Sequence, residues 1–133
     1  MEISNIKALQ IEADILMYGY LYVNVNCAEN EINVAAIPEG YAGDEDSMPI
    51  SHEQAVSIIE QAVSILENQE EIPDDDGYGS ECAVGLYDKE DEPLQRYSYP
   101  ETLKYYAFGK IGRLINEIYD NEVVADFLSM GGF

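Results

Sequence analysis

Residues 51–68, SHEQAVSIIEQAVSILEN, decide how the rest of the chain has to pack. At 100° per residue, the apolar side chains of this stretch fall on one half of a helical wheel. They are Ala55, Val56, Ile58, Ile59, Ala62, Val63, Ile65 and Leu66. Ser51 and Gln54 have the spacing of a capping box, which predicts that a helix begins here. So wide an apolar face predicts burial of the helix against a sheet or other helices.

The polar half of the same wheel carries a regular line of acidic residues. Glu53, Glu60 and Glu67 recur every seven residues, so successive carboxylates are about 10 Å apart along the helix. They are the first candidates for contact with a partner.

Upstream of this helix the sequence predicts a helix, two strands and a loop. Ser4 is a candidate cap for the first helix, whose apolar face would carry Ile6, Leu9, Ala13, Leu16 and Met17. Residues 20–25 and 31–37 have the β-branched and aromatic content of strands, with a turn between them. Residues 38–49 contain two prolines, two glycines and the Asp44-Glu45-Asp46 triplet, which predicts a long polar loop.

Downstream, the sequence predicts a second pair of strands and two more helices. Residues 70–79 form an acidic loop, residues 80–87 and 94–98 two strands, and residues 88–93 the turn between them. Ser98 and Glu101 spell another capping box, for a helix that runs to about Tyr119. Its buried residues would be Leu103, Ala107, Ile111, Leu114 and Ile118. A shorter helix is predicted over residues 122–129.

The predicted order of elements is therefore α-ββα-ββα-α. Hairpins followed by helices favour an α+β fold, with an antiparallel sheet built from two β-hairpins and helices packed on it. The two successive ββα units suggest an internal pseudo-repeat. A length of 133 residues predicts a single domain over residues 1–133.

Charge is the strongest functional signal in this sequence. The chain has 27 acidic and 6 basic residues, a net charge of −21, and Lys89 is the only base among nineteen acids in residues 29–92. Such a field repels nucleic acid and membranes and attracts basic partners. A hydrophobic content of 47% argues against a disordered acidic tail. With no basic-then-apolar leader and no apolar run of membrane length, we expect a soluble cytoplasmic protein.

The motifs of catalysis and of metal binding are missing from the sequence. Phosphate-binding glycine loops and nucleophile elbows do not occur. His52, the single histidine, lies where a helix begins and is expected to be exposed. Asp74-Asp75-Asp76-Gly77 lacks the alternate acidic positions of an EF-hand, because Ile72 occupies the first. We therefore expect neither enzymatic activity nor a metal or cofactor.

Cysteine, tyrosine and glycine each leave two interpretations open. Cys27 and Cys82 are expected to be buried reduced thiols, although a disulfide between them is the alternative. Tyrosine, with 11 residues, is abundant. Tyr18, Tyr20 and Tyr22 alternate along one strand, and Tyr97, Tyr99, Tyr105 and Tyr106 cluster at a strand-to-helix junction. Such tyrosines either anchor a binding surface or pack their rings over the core with the hydroxyl in solvent. Gly109 and Gly112 favour close helix packing inside the domain, with a homodimer contact as the alternative.

Taken together, these features predict an acidic inhibitor. Its carboxylates would stand in for the phosphates of DNA or RNA and occupy the basic groove of a nuclease or nucleic-acid-binding complex. In general character, though in no motif, the chain resembles phage-borne anti-restriction and anti-CRISPR inhibitors, which are small, acidic and without catalytic motifs. The predicted partner-binding residues are Asp44, Glu45, Asp46, Glu53, Glu60, Glu67, Glu70, Glu71, Asp74, Asp75, Asp76 and Tyr78.

Two other classes compete with this interpretation. An immunity protein or antitoxin would use the same charge, together with tyrosine anchors, against one basic toxin. A halophilic acidic domain of other function would also be rich in acids and poor in lysine. The concentration of charge in residues 29–92 argues against the halophilic class, because salt adaptation acidifies a surface evenly.

Overall fold

An antiparallel sheet carries two helices on one face in the computed structural model, which describes residues 3–15, 19–38, 44–69, 81–99 and 107–118. The strands are β1 (Ala8–Ile15), β2 (Gly19–Asn26), β3 (Glu31–Pro38), β4 (Asp44–Pro49), β5 (Glu81–Tyr87) and β6 (Pro93–Tyr99). The helices are α1 (His52–Glu67) and α2 (Ala107–Ile118), and a 3₁₀ turn at Ile3–Asn5 precedes β1. Within these residues the strand order is β4-β3-β2-β1-β5-β6, and every neighbouring pair is antiparallel.

The prediction of a first helix was wrong, because that segment forms β1, a central strand of the sheet. β1 pairs with β2 on one side, where Ile11 faces Val23, and with β5 on the other, where Ile11 faces Val84. Leu9, Ile11 and Ala13 are buried, whereas the residues between them point to the opposite face. The period of two along this segment therefore overrides its helix-forming composition.

Helix α1 forms as the sequence predicts. The Ser51 hydroxyl accepts a hydrogen bond from the Gln54 backbone N–H at 3.0 Å, and the Gln54 side chain accepts one from the Ser51 N–H at 3.0 Å. This reciprocal pair satisfies two donors at the start of the helix. The buried residues of α1 are Ala55, Ile58, Ile59, Ala62, Val63 and Leu66. They join the core that the sheet provides.

The prediction that residues 38–49 form one long loop was also wrong, because β4 occupies Asp44–Pro49. Among the described strands β4 lies at one edge of the sheet, paired only with β3. Met48 faces Ile32 in this pair and packs against the core. Acidic residues are common on edge strands, where their charge discourages pairing with other chains.

Helix α2 covers the β5 side of the same face and contacts α1. Its buried residues are Ala107, Phe108, Gly109, Ile111, Gly112 and Ile115. The burial of both glycines agrees with close packing inside the domain. Ser98, the predicted cap of this helix, instead lies in β6 and accepts a hydrogen bond from Arg96 Nη1 at 3.2 Å. Residues 100–106 of the predicted helix, which include Leu103, and the predicted helix over residues 122–129 lie outside the described residues.

The α+β class is confirmed, but two finer predictions are not. β2 pairs with β3 and β5 pairs with β6. However, β1 lies between these two pairs and β4 extends the sheet beyond β3. The sheet therefore contains more strands than two hairpins supply, and the internal pseudo-repeat is not confirmed.

The two faces of the sheet differ in chemistry. The face under the helices is lined by Leu9, Ile11, Leu21, Val23, Val25, Ile32, Val34, Val84 and Leu86, all buried. We call the other side the open face. Its described side chains include Gln10, Glu12, Asp14, Tyr20, Tyr22, Asn24, Asn33, Ala35, Glu45, Ser47, Ala83, Tyr87, Arg96 and Ser98. Neither α1 nor α2 packs on this face.

Candidate functional site

Helix α1 presents the acidic line that the sequence predicts. Glu53, Glu60 and Glu67 are all exposed, and they lie on the side of the helix opposite its buried residues. The capping box fixes the first turn, and the apolar face fixes the rotation of the helix on the sheet. Glu53 also lies in the first turn of α1, where a carboxylate interacts favourably with the helix dipole. The line is therefore carried by a rigid element.

The acidic residues of β4 are divided between the two faces of the sheet. Glu45 faces Ala35 across the strand pair and belongs to the open face. Asp46 faces Val34 and therefore belongs to the helix-covered side, although it is exposed at the sheet edge. Its carboxylate accepts a hydrogen bond from the Ser47 backbone N–H at 2.9 Å. Asp44 is the first residue of β4.

The predicted binding residues therefore do not share one surface. Glu53, Glu60 and Glu67 point away from the sheet on the helix side, whereas Glu45 points from the open face in the opposite direction. The remaining predicted residues lie outside the described part of the chain. They are Glu70, Glu71, Asp74, Asp75, Asp76 and Tyr78.

A third acidic element, the turn between β5 and β6, was not among the predicted binding residues. Asp88 accepts hydrogen bonds from the backbone N–H groups of Glu90 and Glu92 at 2.9 and 3.0 Å, which leaves Glu90, Asp91 and Glu92 exposed. Asp91 accepts a hydrogen bond from Lys7 Nζ at 2.9 Å, and this contact raises the pKa of Lys7. The run of four acids around Lys89 was the available sequence signal.

The open face carries tyrosine and carboxylate side chains side by side. Tyr22 faces Glu12 on β1 and Ala35 on β3, and Tyr20 faces Asp14. Burial raises the pKa of Tyr22 to about 12, and the nearby carboxylate of Glu12 adds to this shift. The phenol therefore stays protonated further into the alkaline range than an ordinary tyrosine, and its hydroxyl can donate a hydrogen bond. A cavity of about 580 Å³ opens beside it, lined by Tyr22, Asn33, Val34, Ala35, Glu45, Asp46 and Ser47.

A second cavity, of about 560 Å³, lies at the end of the sheet where α1 begins. It is lined by Ser4, Ile6, Lys7, Cys27, Ala28, His52, Val56, Glu60 and Lys89. The Cys27 thiol donates to the backbone carbonyls of Ile6 and Lys7, each at 3.1 Å, and burial raises its pKa. A thiol held neutral in this way is a poor nucleophile. His52 is exposed, as predicted, and its Nδ1 lies 3.0 Å from the Cys27 carbonyl oxygen.

The two cysteines are free thiols. Cys82 is buried, and burial raises its pKa to about 12, so that it is protonated at neutral pH. Within the described residues, no group of three histidine, cysteine, aspartate or glutamate side chains is placed to hold a metal ion. None of the described helices is long and apolar enough to cross a membrane.

No protein-family model matches the chain, and no curated protein matches it significantly.

Proposed function

We propose that this protein is an inhibitor that occupies the nucleic-acid-binding groove of a basic protein, such as a nuclease. The observation that carries the proposal is the line of Glu53, Glu60 and Glu67 on a capped, well-packed helix. Seven residues of helix advance about 10.5 Å, so the three carboxylates form a regularly spaced row of negative charges on one side of a well-packed helix. Such a row offers a basic groove the same kind of contact that the phosphates of a nucleic-acid strand offer.

One further feature supports this function. The net charge of −21 gives the molecule a long-range field that attracts basic surfaces. A basic groove that normally contacts phosphates would meet carboxylates held at fixed positions, without the unfavourable ordering of a flexible acidic tail.

The test begins with capture of partners from a host lysate at low salt. A captured basic nuclease or nucleic-acid-binding protein is then purified, and its complex with this protein is challenged with duplex DNA. We expect DNA to displace the inhibitor competitively. We also expect the affinity to fall steeply between 50 and 500 mM salt, because exposed charges are screened over about 10 Å at 0.1 M. Simultaneous binding of DNA and inhibitor to the partner would contradict the proposal.

A matched pair of variants then locates the contact. The triple variant Glu53→Gln, Glu60→Gln and Glu67→Gln should weaken binding by well over tenfold while leaving the fold intact, since all three residues are exposed. The control variant Glu90→Gln, Glu92→Gln and Glu117→Gln removes the same charge from other exposed positions. Equal losses in the two variants would show that net charge, rather than the α1 line, determines affinity.

An immunity protein or antitoxin is the second candidate, and the tyrosines of the open face favour it. Tyr20 and Tyr22 are two residues apart on β2, share its open face and are each partly exposed. Tyrosine supplies large contact area at low entropic cost. Such a protein would neutralise a single basic toxin through an interface that keeps most of its affinity at high salt, in contrast to a phosphate mimic.

A further inference from the structure

The open face has a gap between an aromatic side chain and a carboxylate. Glu45, Ala35 and Tyr22 lie opposite one another on three neighbouring strands. Adjacent strands are about 4.8 Å apart, so the backbones that carry Glu45 and Tyr22 are separated by roughly 10 Å. Only the methyl group of Ala35 stands between them, and the cavity of about 580 Å³ opens at this position. The gap therefore suits a flat group that contacts Tyr22 and reaches Glu45.

The charges on this face indicate a cationic occupant. Carboxylates of Glu12, Asp14 and Glu45 lie on the side of the face formed by β4 to β1, whereas Arg96 lies on β6 at the far edge. Tyr22 faces Glu12 directly, so a cation above the ring would meet a carboxylate on each side. Asn33 and Ser47, which also line the cavity, offer further hydrogen-bond acceptors.

Arginine fits these contacts better than lysine does. Its guanidinium group is planar, stacks on aromatic rings and binds carboxylates through two parallel hydrogen bonds. A lysine ammonium is compact and strongly hydrated, and it makes neither the stacking nor the bidentate contact.

We propose that the open face binds an arginine side chain of a basic protein partner in the gap between Tyr22 and Glu45. The inference rests on the proposed function in taking the partner to be a basic protein, but it concerns a different surface from the α1 line. Glu12 and Asp14, which lie beside Tyr22 and Tyr20, then receive neighbouring basic side chains of the same segment.

The test is an NMR titration of the ¹⁵N-labelled protein with octa-arginine and octa-lysine peptides at 50 mM salt. We expect the largest shifts at the backbone amides of residues 20–24, 33–37 and 45–47. We also expect octa-arginine to bind at least about threefold more tightly than octa-lysine, because only the guanidinium stacks on the ring. Equal affinities, or no binding of either peptide, would overturn the inference.

Two substitutions probe the gap, each with a matched control. Ala35→Leu fills the gap without changing charge and should weaken octa-arginine binding about tenfold. Ser98→Leu adds similar bulk in the same cross-strand row at the β6 edge and should have little effect. Glu45→Gln should weaken binding about threefold, whereas Glu117→Gln on α2 should not. Equal effects of a substitution and its control would contradict the proposal, and thermal unfolding checks that each variant is folded.

Two further outcomes would replace this inference with another. Shifts centred on α1 and abolished by the triple variant at Glu53, Glu60 and Glu67 would place the basic segment on the helix, which retains the proposed function and rejects the open face. Concentration-dependent shifts of the open face without any peptide would identify a second copy of the chain as its occupant. Failure of DNA to displace the inhibitor from its partner, in contrast, would reject the proposed function alone.

Discussion

The two faces of the sheet show how one strand serves two environments. Along β1, Leu9, Ile11 and Ala13 are buried under the helices, while Gln10 and Glu12 alternate with them on the open face. The helix-covered face has to exclude water, and its side chains are correspondingly apolar. The open face is under no such demand, and it carries tyrosine, amide and carboxylate groups. The first face should therefore determine stability, whereas the second is free to contact other molecules.

Substitution at neighbouring positions of β1 gives the largest expected difference. Ile11 is fully buried, so Ile11→Ala should reduce the free energy of unfolding by about 2–5 kcal/mol through lost burial and the cavity that remains. Gln10→Ala, one residue away on the open face, should change it by less than about 0.5 kcal/mol. Urea denaturation measures both values. Similar losses would mean that the open face is packed as tightly as the covered one.

The second-largest difference between the two faces should be in how their buried titratable groups reduce stability at alkaline pH. Burial raises the pKa of Cys82 to about 12 and also raises that of Tyr99, both on the covered face. The unfolded chain releases these protons at lower pH than the folded chain does. Stability is therefore complete only below the ordinary thiol pKa of about 9 and declines as pH rises, and Cys82 alone should contribute a loss of about 2 kcal/mol between pH 9 and 11.

Denaturation of the variants Cys82→Ala and Tyr22→Phe identifies the groups responsible. Cys82→Ala should flatten the alkaline decline more than Tyr22→Phe does, because the Cys82 thiol is more deeply buried than the phenol of Tyr22. A larger effect of Tyr22→Phe would assign the pH dependence to the open face instead.

The helix cap gives a smaller effect. Ser51→Ala removes the hydroxyl that accepts from the Gln54 N–H and should cost about 1 kcal/mol. Ser47→Ala, at an exposed position of the open face on β4, serves as the control and should cost less than about 0.5 kcal/mol. Thermal unfolding distinguishes them, and an equal loss would show that the cap contributes nothing specific.

Salt should give the smallest effect. Between 50 and 500 mM salt the melting temperature should rise by a few degrees, because screening relieves repulsion among the acids. Glu12 and Asp14 are two residues apart on β1, about 7 Å, whereas Glu53 and Glu60 are about 10 Å apart on α1. Replacing the β1 pair with Gln and Asn should therefore reduce this salt-dependent rise more than replacing the α1 pair with Gln. The opposite order would place the stronger repulsion on the helix.

The failure to predict β1 shows where local patterns stop being decisive. Leu9 and Ala13 have helical spacing, and Ala, Leu, Gln and Glu are good helix formers. The same segment also alternates strictly from Leu9 to Asp14. The segment therefore fits both a helical period and the period of two of a strand. It forms a strand because it pairs with β2 on one side and with β5 on the other. β4 is similar, since its acids and prolines are typical of a loop and only its ladder with β3 makes it a strand.

The part of the candidate site that lies on one helix could be predicted from the sequence, but the part that brings different strands together could not. The exposed line of Glu53, Glu60 and Glu67 follows directly from the helical period, and the structure places it as the sequence predicts. The juxtaposition of Tyr22 with Glu12 and Glu45 was not predictable, because each residue lies on a different strand. Their spacing in the sequence gives no indication that these three residues lie close together in the fold.

The amino-acid sequence alone predicts helix α1 with its cap, the strand character of residues around β2, β3, β5 and β6, and the strong negative charge. These depend on hydrogen bonds or preferences within a few residues, so a short window contains all the information. Three features depend instead on the tertiary fold: Ala8 pairs with Tyr87, β1 is central in the sheet, and the acids divide between two opposite sides. The reason is that a strand satisfies its backbone groups with partners far along the chain, and the faces exist only once those partners are paired.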